Sequence, residues 1–220
     1  MQPHYLSPPI ITLLFTNSCN LQCAHCYSDC SLHARKELTV DQWVEFIDYL
    51  SKSGFIAAYF EGGEPLHRPG FLQVLRHSSR SMMTWLRTNA TLIDDDVAKC
   101  LKQAGLGGAF VDFMGATKAT HEFFTGAPDS FEATCRGVQS LLKAGIDTRL
   151  LIILTRQNAH ELNDLLSLAR DLGVAQVSIL RLYPIARARH RWDEFALSLD
   201  EQMAALDSVE APPGVRVAHS

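Results

Sequence analysis

Six short apolar runs, at residues 10–15, 55–60, 82–87, 108–113, 149–154 and 176–182, alternate with longer amphipathic stretches along this chain. Short apolar runs of this kind suit strands buried on both faces of a parallel sheet. Between them the apolar residues recur at helical spacing. Val40, Trp43, Val44, Ile47 and Leu50 form one such stripe, with Thr39 and Gln42 placed as a capping box in front of it. Leu162, Leu165, Leu166, Ala169 and Leu172 form another, preceded by Asn158 and Glu161 and closed by Gly173. Asp94, Asp95 and Asp96 open a helix between the third and fourth runs, where the helix dipole favours negative charge. Repeated alternation of strand and helix is the pattern of a parallel α/β fold. Six strands are too few to close an eight-stranded barrel.

The first run leads into Thr16-Asn17-Ser18-Cys19-Asn20-Leu21-Gln22-Cys23-Ala24-His25-Cys26-Tyr27. Three thiolates on one loop can ligate three irons of a cubane cluster and leave the fourth open to a substrate. A ferredoxin uses a C-x2-C-x2-C-x3-C run with a fourth Cys ligand, so the three-residue first gap counts against a simple electron carrier. The alternative is a structural zinc site on Cys19, Cys23, Cys26 and one of Cys30, His25 or His33. Zinc sites usually draw on two well-separated ligand pairs, whereas these residues crowd one loop. Cys30 reads as a small loop residue. Cys100, between Val97 and Ala104, and Cys135, between Phe131 and Val138, read as core positions on apolar helix faces.

The broad bounds agree with one domain of ordinary size. At 220 residues the chain is long enough to bury a sizeable core. A formal net charge of −4 advertises no surface for nucleic acid. No apolar run approaches the ~18 residues of a membrane-spanning helix, and the N-terminus lacks the charged lead of a signal peptide. Three cysteines crowded on one loop point to metal in a reducing cytoplasm rather than to disulfides. The expected divisions are a lead-in at 1–9, a core at 10–197, and a C-terminal helix and short strand at 198–220.

A second motif, Glu61-Gly62-Gly63-Glu64-Pro65, follows the second run. Two glycines let the backbone approach a ligand closely, and Pro65 fixes the exit of the turn. Together with C-x3-C-x2-C upstream, it resembles the signature of the radical S-adenosylmethionine (SAM) superfamily. The resemblance implies a partial (β/α)6 barrel of parallel strands with its site at the strands' C-terminal ends. It implies a 4Fe-4S cluster on Cys19, Cys23 and Cys26, with SAM on the open iron and in contact with Gly62, Gly63, Glu64 and Pro65. His25 stands where relatives often carry an aromatic beside the adenine. Asn89 and Asp112 are candidates for SAM's polar groups, and Thr155 for a SAM contact or a plain strand-end cap. The implied reaction takes one electron from a flavodoxin or ferredoxin-type reductant, cleaves SAM to a 5′-deoxyadenosyl radical and abstracts a substrate hydrogen.

The run from Val111 to Ala116 resembles a V-S-I/L-D-G-A element of peptide-modifying and cofactor-maturing relatives, with Asp112 where Ser is usual and Met114 where Asp is usual. With the runs Thr120-His121-Glu122-Phe123-Phe124-Thr125-Gly126 and Leu182-Tyr183-Pro184-Ile185-Ala186-Arg187-Ala188, the chain resembles the core of the SPASM group. That group includes ribosomal-peptide maturases and quinone, sulfatase-maturing and haem-pathway enzymes. Its members normally continue into a Cys-rich segment for auxiliary clusters, so this chain reads as a truncated or minimal member. The implied substrate is a ribosomally made peptide or a small molecule such as a porphyrin, quinone or sugar intermediate. A non-catalytic cluster- or SAM-binding partner subunit is the alternative class. Arg181, Arg187, Arg189 and Arg191 with His190 would meet an acidic leader or carboxylated substrate, or simply form a solvated edge.

Overall fold

Pairing of each apolar run with the next builds a single parallel sheet. The computed structural model describes residues 9–32 and 36–219, so residues 1–8 of the lead-in and the zinc candidate His33 lie outside the described residues. In chain order the elements are β1 (Ile10–Thr16), α1 (Val40–Lys52), β2 (Ala57–Gly62), α2 (Phe71–Ser78), β3 (Met83–Thr88), α3 (Asp95–Gln103), β4 (Gly108–Asp112), α4 (Lys118–Thr125), α5 (Ser130–Lys143), β5 (Asp147–Leu154), α6 (Leu162–Leu172), β6 (Gln176–Arg181), α7 (Ala186–His190), α8 (Trp192–Phe195), α9 (Leu199–Asp207) and β7 (Arg216–His219). The strands lie in sequence order and every neighbouring pair is parallel. The short C-terminal strand joins the sheet beside β6, adding a seventh strand to the expected six. β1 and β7 stand at opposite edges, so the barrel is partial.

The two faces of the sheet differ, and the openness of the barrel is the reason. Residues turned toward the helices, such as Phe60, Leu86, Val111, Ile152 and Ile179, are buried and join the main core. On the concave face, Leu151 and Ile153 of β5 are buried, but Ile10, Leu14 and Met83 are 49%, 55% and 61% exposed. Burial on both faces is therefore confined to the C-terminal half of β5, the inner side chains of β4 and β6 are half-buried, and those of β1 and the start of β3 stand open to solvent.

The helix signals translate well, with two exceptions. Thr39 and Gln42 form the capping box of α1, and Asp94 caps α3 by accepting from Val97 N–H. In α3, however, the buried positions are Ala98 and Leu101, which turns Cys100 outward into solvent. The apolar stripe is rotated by one residue from the Val97–Cys100–Ala104 line, so Cys100 is not a core residue. Cys135 is half-buried and packs against the core. Asn158 caps no helix: a 3-10 turn, Ala159–Glu161, stands between it and α6.

Asn158 instead joins two strand ends. It is fully buried; its Oδ1 accepts from the N–H and hydroxyl of Thr155, and its Nδ2 donates to the carbonyls of Met114 and Ile153. Glu161 acts similarly, accepting from Ala116 N–H at 2.7 Å and from the Thr120 hydroxyl. Replacing Asn158 by Leu strands two carbonyls and an N–H in the interior. The expected cost is about 3 kcal/mol, read as a lower urea midpoint at unchanged slope.

Candidate functional site

The cysteine loop is placed by backbone contact with the end of β2. Gly63 N–H donates to the Thr16 carbonyl at 2.6 Å, and Glu64 N–H to the Ser18 carbonyl at 2.9 Å. A Cβ on Gly62 or Gly63 would run into the main chain of residues 16–18, and Gly62 has φ 126, a conformation open to glycine. The close approach that demands glycine is thus to the chain entering the cysteine loop. Further along, Cys19 N–H donates to Ser31 O, Ala24 N–H to Phe124 O of α4, and Arg187 N–H of α7 to Cys26 O.

The loop and the ends of β2 to β6 enclose a cavity of about 380 Å³. Cys19, Cys23, Cys26, Cys30, His25, Gly62, Gly63, Asn89 and Asp112 all line it. Glu61, Arg87 and Asp112 form a charged row across β2, β3 and β4. Arg87 makes a forked contact with Asp112, with Nη2 at 2.8 Å and Nε at 3.1 Å, and its Nη1 lies 3.5 Å from Glu61. The Tyr27 hydroxyl donates to Glu61 at 2.7 Å, and its ring lies under the Arg87 guanidinium. The opposite wall is apolar, with Met114, Ile153, Leu180 and Leu182, and the lip carries Tyr183 and Ile185.

The thiols form one apolar cluster with Leu21 and Ala127. Burial pushes the Cys19 thiol up to about 11 and moves Cys23 in the same direction. Cys26 runs the other way, held down chiefly by a hydrogen bond from the Cys30 thiol, whose own ionisation is suppressed in turn. Loading metal on protonated thiols releases protons. Tetrahedral zinc, at 2.3 Å per sulfur, would set its thiolates roughly 3.8 Å apart. Among the described residues, no three of these cysteine and histidine ligand atoms lie within 4.8 Å of one another. The donor set fits a group larger than a single ion, as an iron–sulfur cubane is.

Two imidazoles face the cavity, His121 buried and His25 half-buried. Desolvation lowers both His25 and His121 to about 4, so both are neutral at ordinary pH. His25 packs edge-on against Phe124. Met114 N–H donates to His121 Nδ1, which leaves the proton on Nε2, a buried atom on the cavity side with no protein partner.

Other expected site residues are engaged elsewhere. Glu64 is fully buried beneath the wall; it accepts from Thr88 Oγ1 and Asn89 N–H at 2.9 Å and from Leu66 N–H at 3.2 Å. Pro65 is buried at the start of a 3-10 turn. Asn89 reaches the cavity wall, but its amide binds Asn20 and Thr91. Thr155 is buried against Asn158 and does not line the cavity. Arg187 points inward to the Cys30 carbonyl, and Arg191 pairs with Glu194, so the arginine segment is not a uniform solvated edge. Sequence reading missed Glu61, Arg87, Tyr27 and His121. The first two were legible as residues two positions beyond Tyr59 and Trp85 on the same strand faces; His121 carried no signal beyond its place in a helix.

The sequence model of the Radical SAM superfamily matches residues 13–169. The chain is 32% identical over 183 residues to an AdoMet-dependent heme synthase of Methanosarcina barkeri, covering 82% of this chain and 52% of that protein. It is 30% identical over 207 residues to the mycofactocin maturase MftC of Mycobacterium ulcerans, covering 93% and 56%. Among solved structures it resembles Streptococcus suis SuiB bound to S-adenosylmethionine, with a TM-score of 0.78 and 14% identity over 97% of this chain and 50% of that one. The chain thus spans about half the length of the curated relatives it matches.

Two outcomes follow from this geometry. Gly63→Ala forces the cysteine loop off β2, and iron bound after reconstitution should fall, with SAM binding falling in proportion, as measured by iron content and equilibrium dialysis. Burial raises the Glu64 carboxyl from 4.5 to about 7. The folded protein therefore holds an extra proton between those values, and the stability linked to it is lost as pH rises through 7. Between pH 4.5 and 7.5 the wild type should lose up to about 3 kcal/mol relative to Glu64→Gln, measured by urea unfolding at each pH.

Proposed function

The chain belongs to the radical SAM superfamily, and we propose that it cleaves S-adenosylmethionine reductively to modify a ribosomally made peptide. The observation that carries the first part is the convergence of Cys19, Cys23 and Cys26 with the ends of β2, β3 and β4 on one cavity. The family's cofactors are a 4Fe-4S cluster and SAM, and together they supply a 5′-deoxyadenosyl radical for hydrogen abstraction. Cys19, Cys23 and Cys26 would hold the cluster, with a flavodoxin or ferredoxin-type protein as electron donor. Gly62 and Gly63 keep the loop against β2, and Glu64 braces that junction from below. The His25 ring and the Gly62–Gly63 backbone offer a wall for SAM, while Asn89 stiffens the loop between Asn20 and Thr91. Asp112, oriented by Arg87, presents a fixed carboxylate to SAM's polar groups. Met114, Ile153, Leu180 and Leu182 exclude water from the reacting end of the cavity.

A peptide substrate is supported by the likeness to mycofactocin maturase along 93% of the chain and by the lip, where Tyr183 and Ile185 stand 58% and 47% exposed. Apolar and aromatic groups at the mouth of a cavity suit peptide side chains. A carboxylated small molecule of the porphyrin kind is the second reading, supported by the likeness to heme synthase and by Arg181 on the cavity wall.

Anaerobically reconstituted protein treated with dithionite should release 5′-deoxyadenosine, detected by mass spectrometry. Joint replacement of Cys19, Cys23 and Cys26 by Ala should abolish both the iron and the product. Cys30→Ala should keep the cluster; its loss would indicate a fourth thiolate ligand. Deuterium carried into 5′-deoxyadenosine from a labelled precursor peptide of the mycofactocin kind supports peptide maturation, and transfer from a labelled porphyrin instead would overturn it.

A further inference from the structure

Arg187 clasps the far end of the cysteine loop with both its backbone and its side chain. Its N–H donates to the Cys26 carbonyl at 3.2 Å, and its guanidinium donates to the Cys30 carbonyl. On its outer side the same guanidinium lies 3.4 Å from Asp29 Oδ1. The residues on both sides of the clasp adopt left-handed backbone without being glycine: Ala186 precedes Arg187 at φ 46, and Asp29 has φ 47. Such conformations persist where the surroundings over-determine them, and here the loop and the strap after β6 hold each other. Ala188, one residue on, is buried and fixes the strap from beneath.

The clasp sets a positive charge beside the cysteine loop. The Arg187 guanidinium reaches the backbone between Cys26 and Cys30, the stretch that follows the third cluster thiolate. Its side chain is only 23% exposed, so water screens it weakly, while Asp29 at 60% exposure is screened more strongly.

We propose that Arg187 is a positioning residue that raises the reduction potential of the cluster held by Cys19, Cys23 and Cys26, with Asp29 as its opposing charge. The inference rests on the cluster reading above. One electron passes from the donor, dithionite in the test, to the cluster and makes the iron–thiolate unit more negative by one charge. A fixed cation beside that unit stabilises the reduced state, and an anion paired with the cation weakens the effect. Net charge around a cluster is one of the levers that set its potential.

The test is a redox titration of reconstituted protein followed by electron paramagnetic resonance, with iron content measured on each sample. Arg187→Gln keeps an amide donor near Cys30 and removes the charge; its midpoint should fall. Arg187→Lys keeps the charge and should stay near the wild-type value. Asp29→Asn removes the opposing charge with a residue that tolerates left-handed backbone, and its midpoint should rise by a smaller amount. Coincident midpoints in Arg187→Gln and Asp29→Asn, both with full iron, would overturn the proposal. If Arg187→Gln binds no iron, Asp29→Asn alone decides: an upward shift supports the assignment and an unmoved one removes it. Failure of the cluster reading itself would look different, as a wild type with no four-iron signal to titrate.

Discussion

The hydrogen bonds from Gly63 and Glu64 N–H to the carbonyls of Thr16 and Ser18 determine where everything else in the site stands. They pull the chain leaving β1 against the end of β2 at a distance no side chain would permit. The Glu64 carboxylate then carries the connection one strand further, to Thr88 and Asn89 at the end of β3. Asn89 returns it to the loop through Asn20. The cysteines are thus held by a closed circuit of main-chain and polar side-chain contacts, to which Asn89 adds a long contact with the Cys19 sulfur at 4.0 Å.

On that frame the cavity has two unlike walls. The β2 to β4 side carries paired charge, in which Arg87 satisfies Asp112 and approaches Glu61. The β5 and β6 side is apolar apart from Arg181 at the end of β6. The division follows from strand parity: the last inward position of β2, β3 and β4 is Glu61, Arg87 and Asp112, whereas the corresponding reach of β5 and β6 ends on Ile153 and Leu180. A ligand with a polar end and a reacting carbon finds both surfaces within one cavity.

Much of this was legible in the sequence because the signals were local. Apolar runs gave the strands, Thr39 with Gln42 gave the start of α1, and the spacing of Cys19, Cys23 and Cys26 marked the loop. What escaped depended on distant partners. Gly62 and Gly63 were recognised as a close approach, but the chain they approach is forty-five residues earlier in sequence and only the fold reveals it. Arg187 reads as one more surface arginine until the strap folds back on the cysteine loop. The Val97–Cys100 line lies one residue of helical rotation from the buried face of α3, which Ala98 and Leu101 mark. The Glu64 side chain turns toward the protein, and of the two readings of Thr155 its bonds to Asn158 suit the strand-end cap.

Beneath the charged row lies a layer of stacked rings. Tyr59, Trp85 and Phe110 sit two residues below Glu61, Arg87 and Asp112 on the same strand faces, with the Trp85 and Phe110 centroids 4.9 Å apart and the Arg149 guanidinium 4.4 Å from the Trp85 ring. An indole in that position feels the field of every charge above and beside it. The protein therefore carries its own optical gauge: a molecule that enters the cavity and rearranges Arg87 or Asp112 alters the emission of Trp85, and occupancy is readable without a label.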